Sequence, residues 1–150
     1  MAVLRERPYG NFNFLVDFGT GETDGVEAGF EEVLLPEAWT EVIEYRNGNE
    51  KESGARKIPG RSHYGNLVLK RGVIGSLNLY QWWNDIRNGN TAAYRTVTIS
   101  PQNEDRTAIV MTWKLLRAWP VRYKVSGLHG KGKEAWVEIL ELACERLEIE

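Results

Sequence analysis

One short stretch of the chain matches a motif with known chemistry, GLHGKGKE at residues 127–134. Gly127, Gly132 and Lys133 fit G-x-x-x-x-G-K, the loop that holds nucleotide phosphates with backbone N–H groups and a lysine. The motif then requires a Ser or Thr hydroxyl for Mg²⁺, but the chain has Glu134, whose carboxylate would repel phosphate. Only 17 residues follow Lys133, too few for the helix, parallel strands and acid of such a domain. We therefore interpret this stretch as a turn between two strands.

Other residue types that support catalysis or metal binding are scattered. His63 and His129 both lie in glycine-rich segments, and Cys144 is the only cysteine, so these residues do not form a metal-binding set. No G-x-S-x-G elbow supports a nucleophilic serine. Adjacent acids such as Glu31 and Glu32 are expected in a chain with 21 acidic residues and indicate solvated surface. The sequence thus predicts no catalytic, cofactor-binding or metal-binding residues, and no enzyme activity.

The composition is that of one ordinary globular domain covering residues 1–150. A formal net charge of −2 argues against a dedicated nucleic-acid binder, which needs a strongly basic surface. No apolar run approaches the ~20 residues of a membrane-spanning helix, so we expect no membrane-spanning segment. A single cysteine excludes an internal disulfide and fits folding in a reducing cytosol.

Alternating apolar and polar residues predict mostly β-strands. In residues 11–18, Phe14 and Val16 share one face while Asn13 and Asp17 share the other, the period-two pattern of a half-buried strand. The other predicted strands are residues 29–35, 41–46, 64–73, 94–100, 109–116 and 117–125. Because strand follows strand through hairpins, the fold class is mainly β, an antiparallel sandwich or barrel of seven strands with one flanking α-helix.

The helix is predicted over residues 77–87. Ser76 is a suitable N-cap, Gly89 is placed to end the helix, and Leu79 and Trp82 belong to an apolar stripe with helical spacing. The last segment, residues 134–150, fits either a helix or a strand with two apolar faces. Propensity alone favours a helix there, because Ala, Glu and Leu dominate.

The segment of residues 46–63 is polar, charged and glycine-rich, with no apolar period. We expect a long connection here, and long connections are usually functional or disordered. In the following strand, Leu67, Leu69 and Arg71 share one face, and both faces mix apolar and polar side chains. That pattern favours a strand with the core on one side and a partner or channel on the other.

An ordered set of short segments carries a family resemblance. In chain order these are GFEEV at 29–33, EVIEYRNGN at 41–49, RKIPG at 56–60, YGNLVLKRGV at 64–73, LNLYQWWNDIRNG at 77–89, MTWKLLRAWPVRY at 111–123, and WVEILELACERLEIE at 136–150. Together they resemble the tail tube protein family of contractile-tailed bacteriophages and the inner tube subunits of phage-derived contractile injection systems. The resemblance covers roughly residues 8–150.

The resemblance implies a small antiparallel β-sandwich or barrel with one flanking helix, the tail-tube fold. It implies a structural subunit whose copies form hexameric rings stacked into a tube, with sheath, baseplate and cap proteins as partners and DNA or effector proteins in the channel. The final segment is then β, and residues 46–63 form an arm between subunits and rings. The implied location is a phage tail or an injection-system particle assembled in the bacterial cytoplasm.

Two sets of residues are candidates for assembly roles under this resemblance. Charged and polar groups in the arm set the register of an interface and are expected at ring stacking: Arg46, Asn47, Lys51, Arg56, Lys57 and Arg61. A channel must be polar and must not bind its cargo tightly, so the lumen candidates are Asn13, Asp17, Thr96 and Thr98.

The alternative function is a monomeric β-barrel of the OB type that binds an oligonucleotide or another ligand. Six Trp residues would supply stacking surfaces, and Lys70 with Arg71 would supply a basic patch. The net charge of −2 argues against it.

Overall fold

The computed structural model describes all residues from Met1 to Glu150. The nine strands are Phe14–Asp17 (β1), Glu32–Leu34 (β2), Ala38–Tyr45 (β3), Arg56–Tyr64 (β4), Leu67–Gly72 (β5), Arg95–Pro101 (β6), Trp113–Val125 (β7), Val137–Ala143 (β8) and Arg146–Ile149 (β9). One α-helix, α1, spans Asn78–Arg87, and short 3-10 turns lie at Val26–Ala28 and Thr91–Ala93. None of these helices has the length and apolar character needed to cross a membrane.

Seven strands form one curled antiparallel sheet. Six of them follow the order β1-β6-β7-β8-β5-β2, and the seventh, β9, pairs with the first part of β7. The curl makes a half-barrel whose first and last strands in this order are β1 and β2. Strands β3 and β4 form a separate two-stranded sheet. The mainly β prediction with one helix is confirmed, although the chain has nine strands rather than seven.

The core lies on the inner face of the sheet, under α1. Leu67 lies opposite Leu142, and Leu69 lies opposite Leu140, on the paired strands β5 and β8. All four side chains are fully buried, and Trp82 of α1 packs against the same cluster. Successive strand residues point to opposite faces, so the leucines at every second position of β5 and β8 all face the helix.

Helix α1 has the boundaries that its sequence predicts to within one residue. The Ser76 hydroxyl accepts the backbone N–H of Asn78 at 3.3 Å, but the residue at the N-cap position is Leu77, whose side chain has no capping bond. Gly89 follows the helix with φ +82°, a conformation that glycine adopts without steric cost. The apolar stripe faces the sheet as predicted, with Leu79 buried.

The final segment is β rather than helical, as the family resemblance implies. Strand β8 pairs with β5 on one side and with β7 on the other, and β9 continues along β7. Buried and half-buried residues alternate along β8, the period expected of a strand in the middle of a sheet. Pairing on both sides therefore outweighs the helix propensity of Ala, Glu and Leu.

The predicted connection over residues 46–63 is wrong for its second half. Residues 56–64 form β4, which pairs with β3 from Tyr45 opposite Arg56 to Ala38 opposite Tyr64. No apolar period marks this strand because neither of its faces lies on the core, so the burial that normally selects alternation is missing. The connection itself is only residues 46–55.

Strand β7 joins the two strands predicted at 109–116 and 117–125. Arg117 has φ +51°, and the pairing of β7 with β8 shifts register between Pro120 and Arg122. These two irregularities bend one long strand, so that its first part pairs with β6 and β9 and its last part pairs with β8.

Candidate assembly surfaces

The hairpin formed by β3, β4 and their connection, residues 38–64, projects from the main sheet and is called the arm. All eight residues of β3 are exposed, and β4 is exposed along most of its length. An isolated two-stranded hairpin is at best marginally stable in water. The arm is therefore a segment that gains stability when another surface covers it.

One face of the arm is apolar. Trp39, Ile43 and Tyr45 alternate along β3, and Ile58 lies opposite Ile43 on β4. Between 46% and 51% of each of these four residues is exposed. Exposed apolar clusters of this kind mark protein–protein contacts more often than free surface. We call Trp39, Ile43, Tyr45 and Ile58 the apolar face of the arm.

The tip of the arm is held by three of the residues predicted at ring contacts. Arg46 donates to the carbonyl oxygens of Glu50 and Glu52, each at 3.0 Å. Asn47 donates to the Glu50 carboxylate at 3.1 Å, and Arg56 lies 3.3 Å from the same carboxylate. These groups shape the connection within one chain, so their hydrogen-bonding capacity is already partly used.

The other three predicted contact residues form no ion pair within the chain. Lys51, Lys57 and Arg61 are exposed and make no ion pair. Lys57 lies opposite Glu44 on the face of the hairpin away from the apolar face. Of the predicted set, these three are the cations left free for a neighbour.

The base of the arm is held by side-chain contacts between its two strands. The Trp39 and His63 rings stack with centroids 5.4 Å apart, and His63 Nε2 lies 2.5 Å from a Glu41 carboxylate oxygen. The strand pairing is irregular between Thr40 and Val42, opposite Gly60. A Cβ at Gly60 would lie 3.1 Å from the Glu41 Cβ and 3.2 Å from its carbonyl oxygen. Glycine thus allows the two strands to approach at the bend.

A cavity of about 490 Å³ is lined by residues of β1 and β2, the strands at the two ends of the main sheet. Its wall includes Phe14 of β1 and Val33 of β2, and its remaining lining residues are Tyr9, Gly10, Asn11, Asn13, Glu31, Glu32, Leu34, Leu35, Ile99, Pro101, Val110, Met111 and Trp113. The lining is largely apolar, contains two carboxylates and contains no Lys or Arg. We call this cavity the groove.

The four predicted lumen residues lie on β1, on β6 or just before β1. Asp17 and Thr98 are direct cross-strand partners, on the face opposite the buried pair formed by Val16 and Ile99. Thr96 is two residues from Thr98 and exposed, so it shares that face.

Two of the four predicted lumen side chains already have partners within the chain. The Asn13 amide donates to the carbonyl oxygens of Asn103 and Glu104, and the Asp17 carboxylate accepts the N–H groups of Gly19 and Gly21. The two threonines therefore remain the freer members of the predicted set.

A buried charged cluster between β5, β8 and α1 was not predicted. Arg71 Nε donates to Glu138 at 2.8 Å, and both residues are nearly inaccessible to solvent. The same guanidinium donates to the Glu27 carbonyl at 2.7 Å and to the Asn78 side chain at 2.8 Å. Tyr123 donates its hydroxyl to the other Glu138 oxygen at 2.6 Å. The cluster thus ties the helix start and the segment before β2 to the sheet.

Burial and the hydrogen bond to Glu138 raise the pKa of Tyr123 to about 12. The hydroxyl therefore remains protonated as the donor in this cluster across the ordinary pH range. Sequence spacing gave no sign of the Arg71–Glu138 pair, because the two residues are 67 positions apart. The mixed polar and apolar faces of residues 64–73 predicted a partner or channel on one side of the strand, not a buried ion pair.

The same cluster removes the basic patch of the alternative function. Arg71 is 1% exposed, and Lys70 lies 3.4 Å from a Glu32 carboxylate oxygen on β2. Their side chains point to opposite faces of β5, because successive strand residues alternate. Lys70 and Arg71 therefore do not form a joint surface for nucleic acid.

The phosphate-loop match at residues 127–134 lies in the exposed connection between β7 and β8, as predicted. Lys131 and Lys133 are exposed and make no ion pair within the chain. No long helix follows the match, since Val137 already begins β8. The residues are a turn between two antiparallel strands.

Comparison with known proteins gives one family and a set of similar folds. The family model of the T4-like virus tail tube protein gp19 matches residues 10–148. No curated protein sequence gives a significant match.

Similar solved structures come from contractile assemblies. A chain of the sheath/tube terminator of the PVC extracellular contractile injection system is 28% identical, with a TM-score of 0.82 over 97% of this chain and 98% of that chain. A chain in the tube-terminating cap of the anti-feeding prophage is 25% identical, with a TM-score of 0.82 over 100% of this chain and 95% of that chain.

A more distant structure shares the fold alone. Hcp1 from Flavobacterium johnsoniae is 13% identical, with a TM-score of 0.54 over 91% of this chain and 93% of that chain. Since the family model covers nearly the whole chain, the chain belongs to the T4-like virus tail tube protein gp19 family and is a structural subunit of a phage tail tube or of the inner tube of a contractile injection system.

Proposed function

We propose that six copies of this chain close into a ring and that the rings stack into a hollow tube. The observation that carries this proposal is the exposed arm, which has an apolar face and no packing partner in its own chain. A segment of this kind is built for contact with other subunits. The chain is then one structural domain, residues 1–150, with an arm that extends from residue 38 to residue 64.

The open edges of the main sheet support ring closure. β1 pairs only with β6, and β2 pairs only with β5, so each has one side with unpaired backbone groups. Unpaired edges are an aggregation hazard unless another strand or segment covers them, and a closed ring of subunits covers every edge. The half-barrel is therefore completed by its neighbours.

The free cations of the arm support stacking with a defined register. Lys51, Lys57 and Arg61 form no ion pair in the chain, so they are available to carboxylates of another subunit. Charge pairs across such an interface set specificity and orientation more than affinity. Arg46, Asn47 and Arg56 act indirectly, because their bonds to Glu50 and Glu52 fix the shape of the tip.

For the channel wall we propose the face of β1 and β6 that carries Asp17, Thr96 and Thr98, with Asn13 at its rim. These side chains are small or mildly acidic and lie away from the core. A neutral to mildly negative wall lets DNA or an effector protein slide without binding tightly.

The proposed partners are a surrounding sheath protein and the baseplate and cap proteins at the ends of the tube. The similar solved chains come from sheath–tube, cap and baseplate assemblies, which supports this set. The tube acts mechanically and without catalysis: a contracting sheath drives it through a target envelope. We place its assembly in the bacterial cytoplasm, where the lone Cys144 stays reduced.

Electron microscopy of the purified chain tests this proposal. Negatively stained particles are expected to show rings with six-fold symmetry and stacked tubes with a stain-filled channel. Light scattering is expected to rise with time as tubes grow. A strict monomer at all concentrations would contradict the proposal, and salt-sensitive binding of single strands by that monomer would favour the barrel alternative.

A further inference from the structure

The tetrapeptide Arg-Asn-Gly-Asn occurs twice in the chain, at residues 46–49 and at residues 87–90. The first copy lies at the tip of the arm, and the second lies at the end of α1. An asparagine that precedes a glycine can lose its side-chain amide without an enzyme, because glycine has no Cβ to shield its backbone nitrogen. Since the two copies have the same sequence, any difference in this chemistry comes from the fold.

We propose that Asn47 is a site of spontaneous deamidation and that the fold protects Asn88 from the same reaction. The Gly48 nitrogen bonds to Cγ of Asn47 and passes its proton through water to Nδ2. The bond between Cγ and Nδ2 breaks, ammonia leaves, and a cyclic imide remains. Water then opens the ring at either carbonyl, which leaves aspartate or isoaspartate in place of the asparagine. The sum consumes one water and releases one ammonia, so no oxidant or reductant takes part.

The backbone nitrogen of Gly48 is free to react. Residues 47–50 form a turn in which the Glu50 N–H donates to the Asn47 carbonyl oxygen at 3.2 Å, whereas the Gly48 N–H has no acceptor within the chain. Gly48 is exposed, and no atom lies within 4 Å of the position that a Cβ would take. Water and hydroxide therefore reach this N–H group, which must lose its proton during the attack.

The side chain of Asn47 is held only by groups that are in contact with water. Its Oδ1 accepts from the Tyr45 hydroxyl at 2.5 Å, and its Nδ2 donates to the Glu50 carboxylate at 3.1 Å. Tyr45 is 51% exposed, and the Glu50 side chain also reaches the surface. Hydrogen bonds in exposed loops open at little cost in free energy. The amide of Asn47 is therefore able to turn towards Gly48.

The second copy of the tetrapeptide lacks this freedom. The Asn88 N–H donates to the Asn84 carbonyl oxygen, and the Gly89 N–H donates to the Ile86 carbonyl oxygen, each at 3.0 Å. The nitrogen that would attack Asn88 is thus already engaged in the last turn of α1. Reaction there requires this turn to open first, which makes it slower.

Deamidation of Asn47 would undo the bonds that shape the tip of the arm. A carboxylate in place of the amide has no N–H to donate to Glu50, and it repels the Glu50 carboxylate. Isoaspartate also adds a carbon atom to the backbone inside the turn. The consequence for assembly rests on the proposed tube function: subunits with an intact Asn47 keep the tip shape that stacking needs.

Mass spectrometry of the full chain tests the inference. Free subunits, below the concentration at which tubes form, are incubated at mildly alkaline pH in water labelled with heavy oxygen. The label marks only the deamidation that occurs during the incubation. Trypsin then cleaves after Arg46 and after Arg87, so that the two sites fall in different peptides. Asn47 is expected to react at least about tenfold faster than Asn88, because Asn88 reacts only through local opening.

Two controls separate the fold from the sequence. In urea both copies are unfolded, and their rates are expected to agree within about threefold. Gly48→Ala places a Cβ beside the attacking nitrogen in otherwise open space, so it is expected to slow the reaction of Asn47 at least about tenfold. Equal rates at Asn47 and Asn88 in the folded chain would overturn the inference. A Gly48→Ala chain that reacts as fast as the wild type would overturn it as well.

Asn47→Asp reports the effect of deamidation on assembly. Asn49→Asp is the matched control, because Asn49 is exposed and takes no part in the side-chain bonds of the tip. Asn47→Asp is expected to slow tube growth at least about twofold more than Asn49→Asp does. Equal growth of the two variants would contradict the effect on assembly. Wild-type chains that never assemble would refute the tube function, whereas the mass measurement on free subunits would still decide the deamidation.

Discussion

Two consecutive strands, β4 and β5, are separated by two residues and differ in burial. In β5, Leu67, Leu69 and Arg71 are almost completely buried. In β4, most residues are exposed, although that strand contains an isoleucine and a proline. Both strands contain cations, so charge content does not distinguish them. What distinguishes them is the core: one face of β5 packs in the core cluster with Leu79 and Trp82 of α1, whereas neither face of β4 lies on it.

The comparison separates folding from assembly within two consecutive strands that belong to different sheets. The charge of Arg71 is satisfied inside the fold by Glu138, a carbonyl and a side-chain amide oxygen. The charges of Lys57 and Arg61 form no ion pair in the chain, although Lys57 lies opposite Glu44 on β3. We infer that β5 stabilises the subunit and that β4 is kept for contacts between subunits.

The largest expected effect comes from breaking the buried pair on β5. Arg71→Ala leaves the Glu138 carboxylate buried without its cation, and the free energy of unfolding is expected to fall by about 3–5 kcal/mol. Urea unfolding followed by fluorescence measures it. The matched change on β4, Lys57→Ala, is expected to alter the free energy of unfolding of the unassembled subunit by less than about 0.5 kcal/mol. Equal losses from both changes would contradict the division of roles.

Apolar truncation makes the same comparison without charge. Leu69→Ala removes a fully buried side chain and is expected to cost about 2–5 kcal/mol of unfolding free energy. Ile58→Ala on the arm is expected to change the stability of the unassembled subunit by about 0.5 kcal/mol or less. In assembly the order of the two effects is expected to reverse. There Ile58→Ala is expected to slow the growth of light scattering more than Leu69→Ala does. An Ile58→Ala subunit as unstable as Leu69→Ala would show that the arm belongs to the core.

Gly60→Ala sharpens the comparison inside the arm. The added Cβ would lie 3.2 Å from the Glu41 carbonyl oxygen, so the two strands must shift apart there by a few tenths of an ångström. We expect the free energy of unfolding of the main sheet to change by less than about 0.5 kcal/mol. We expect tube growth to slow. The measurement is light scattering at matched concentration, with Gly48→Ala, which has open space around it, as the control. Identical growth of both variants would argue against a fixed arm shape.

The smallest effect is in the pH dependence of the buried cluster. The pKa of Tyr123 is about 12 in the fold, whereas a free tyrosine has a pKa of about 10. The unfolded chain releases this proton first, so the contribution to stability is complete below pH 10 and falls as pH rises from 10 towards 12. Tyr123→Phe is expected to reduce the fall in the free energy of unfolding between pH 10 and pH 12. Urea unfolding at each pH measures this free energy. Parallel pH profiles for both chains would contradict the assignment.

The sequence predicts most of the fold because local signals agree with burial. The helix follows from its apolar stripe and from Gly89, and β1 follows from the alternation around Val16. It does not predict β4, because a strand exposed on both faces has no apolar period to detect. It also does not predict the Arg71–Glu138 pair, since pairing between distant strands brings these residues together.

The candidate assembly residues show the same division. Residue type alone suggested that six polar groups of the arm act alike, but three of them turn inwards to hold the tip. Which cations stay free depends on the position of Glu50, which only the folded hairpin determines. The groove escaped prediction because its walls come from β1, β2 and the start of β7, which are far apart in the chain.

Hydrogen exchange tests the central claim most directly, by comparing amide protection below and above the concentration at which tubes form. The account predicts that amides of β5 are protected in both states, whereas amides of β3 and β4 exchange rapidly in free subunits and become protected in tubes. Arm amides that are equally protected in free subunits, or that stay unprotected in tubes, would contradict the claim that the arm exists for assembly.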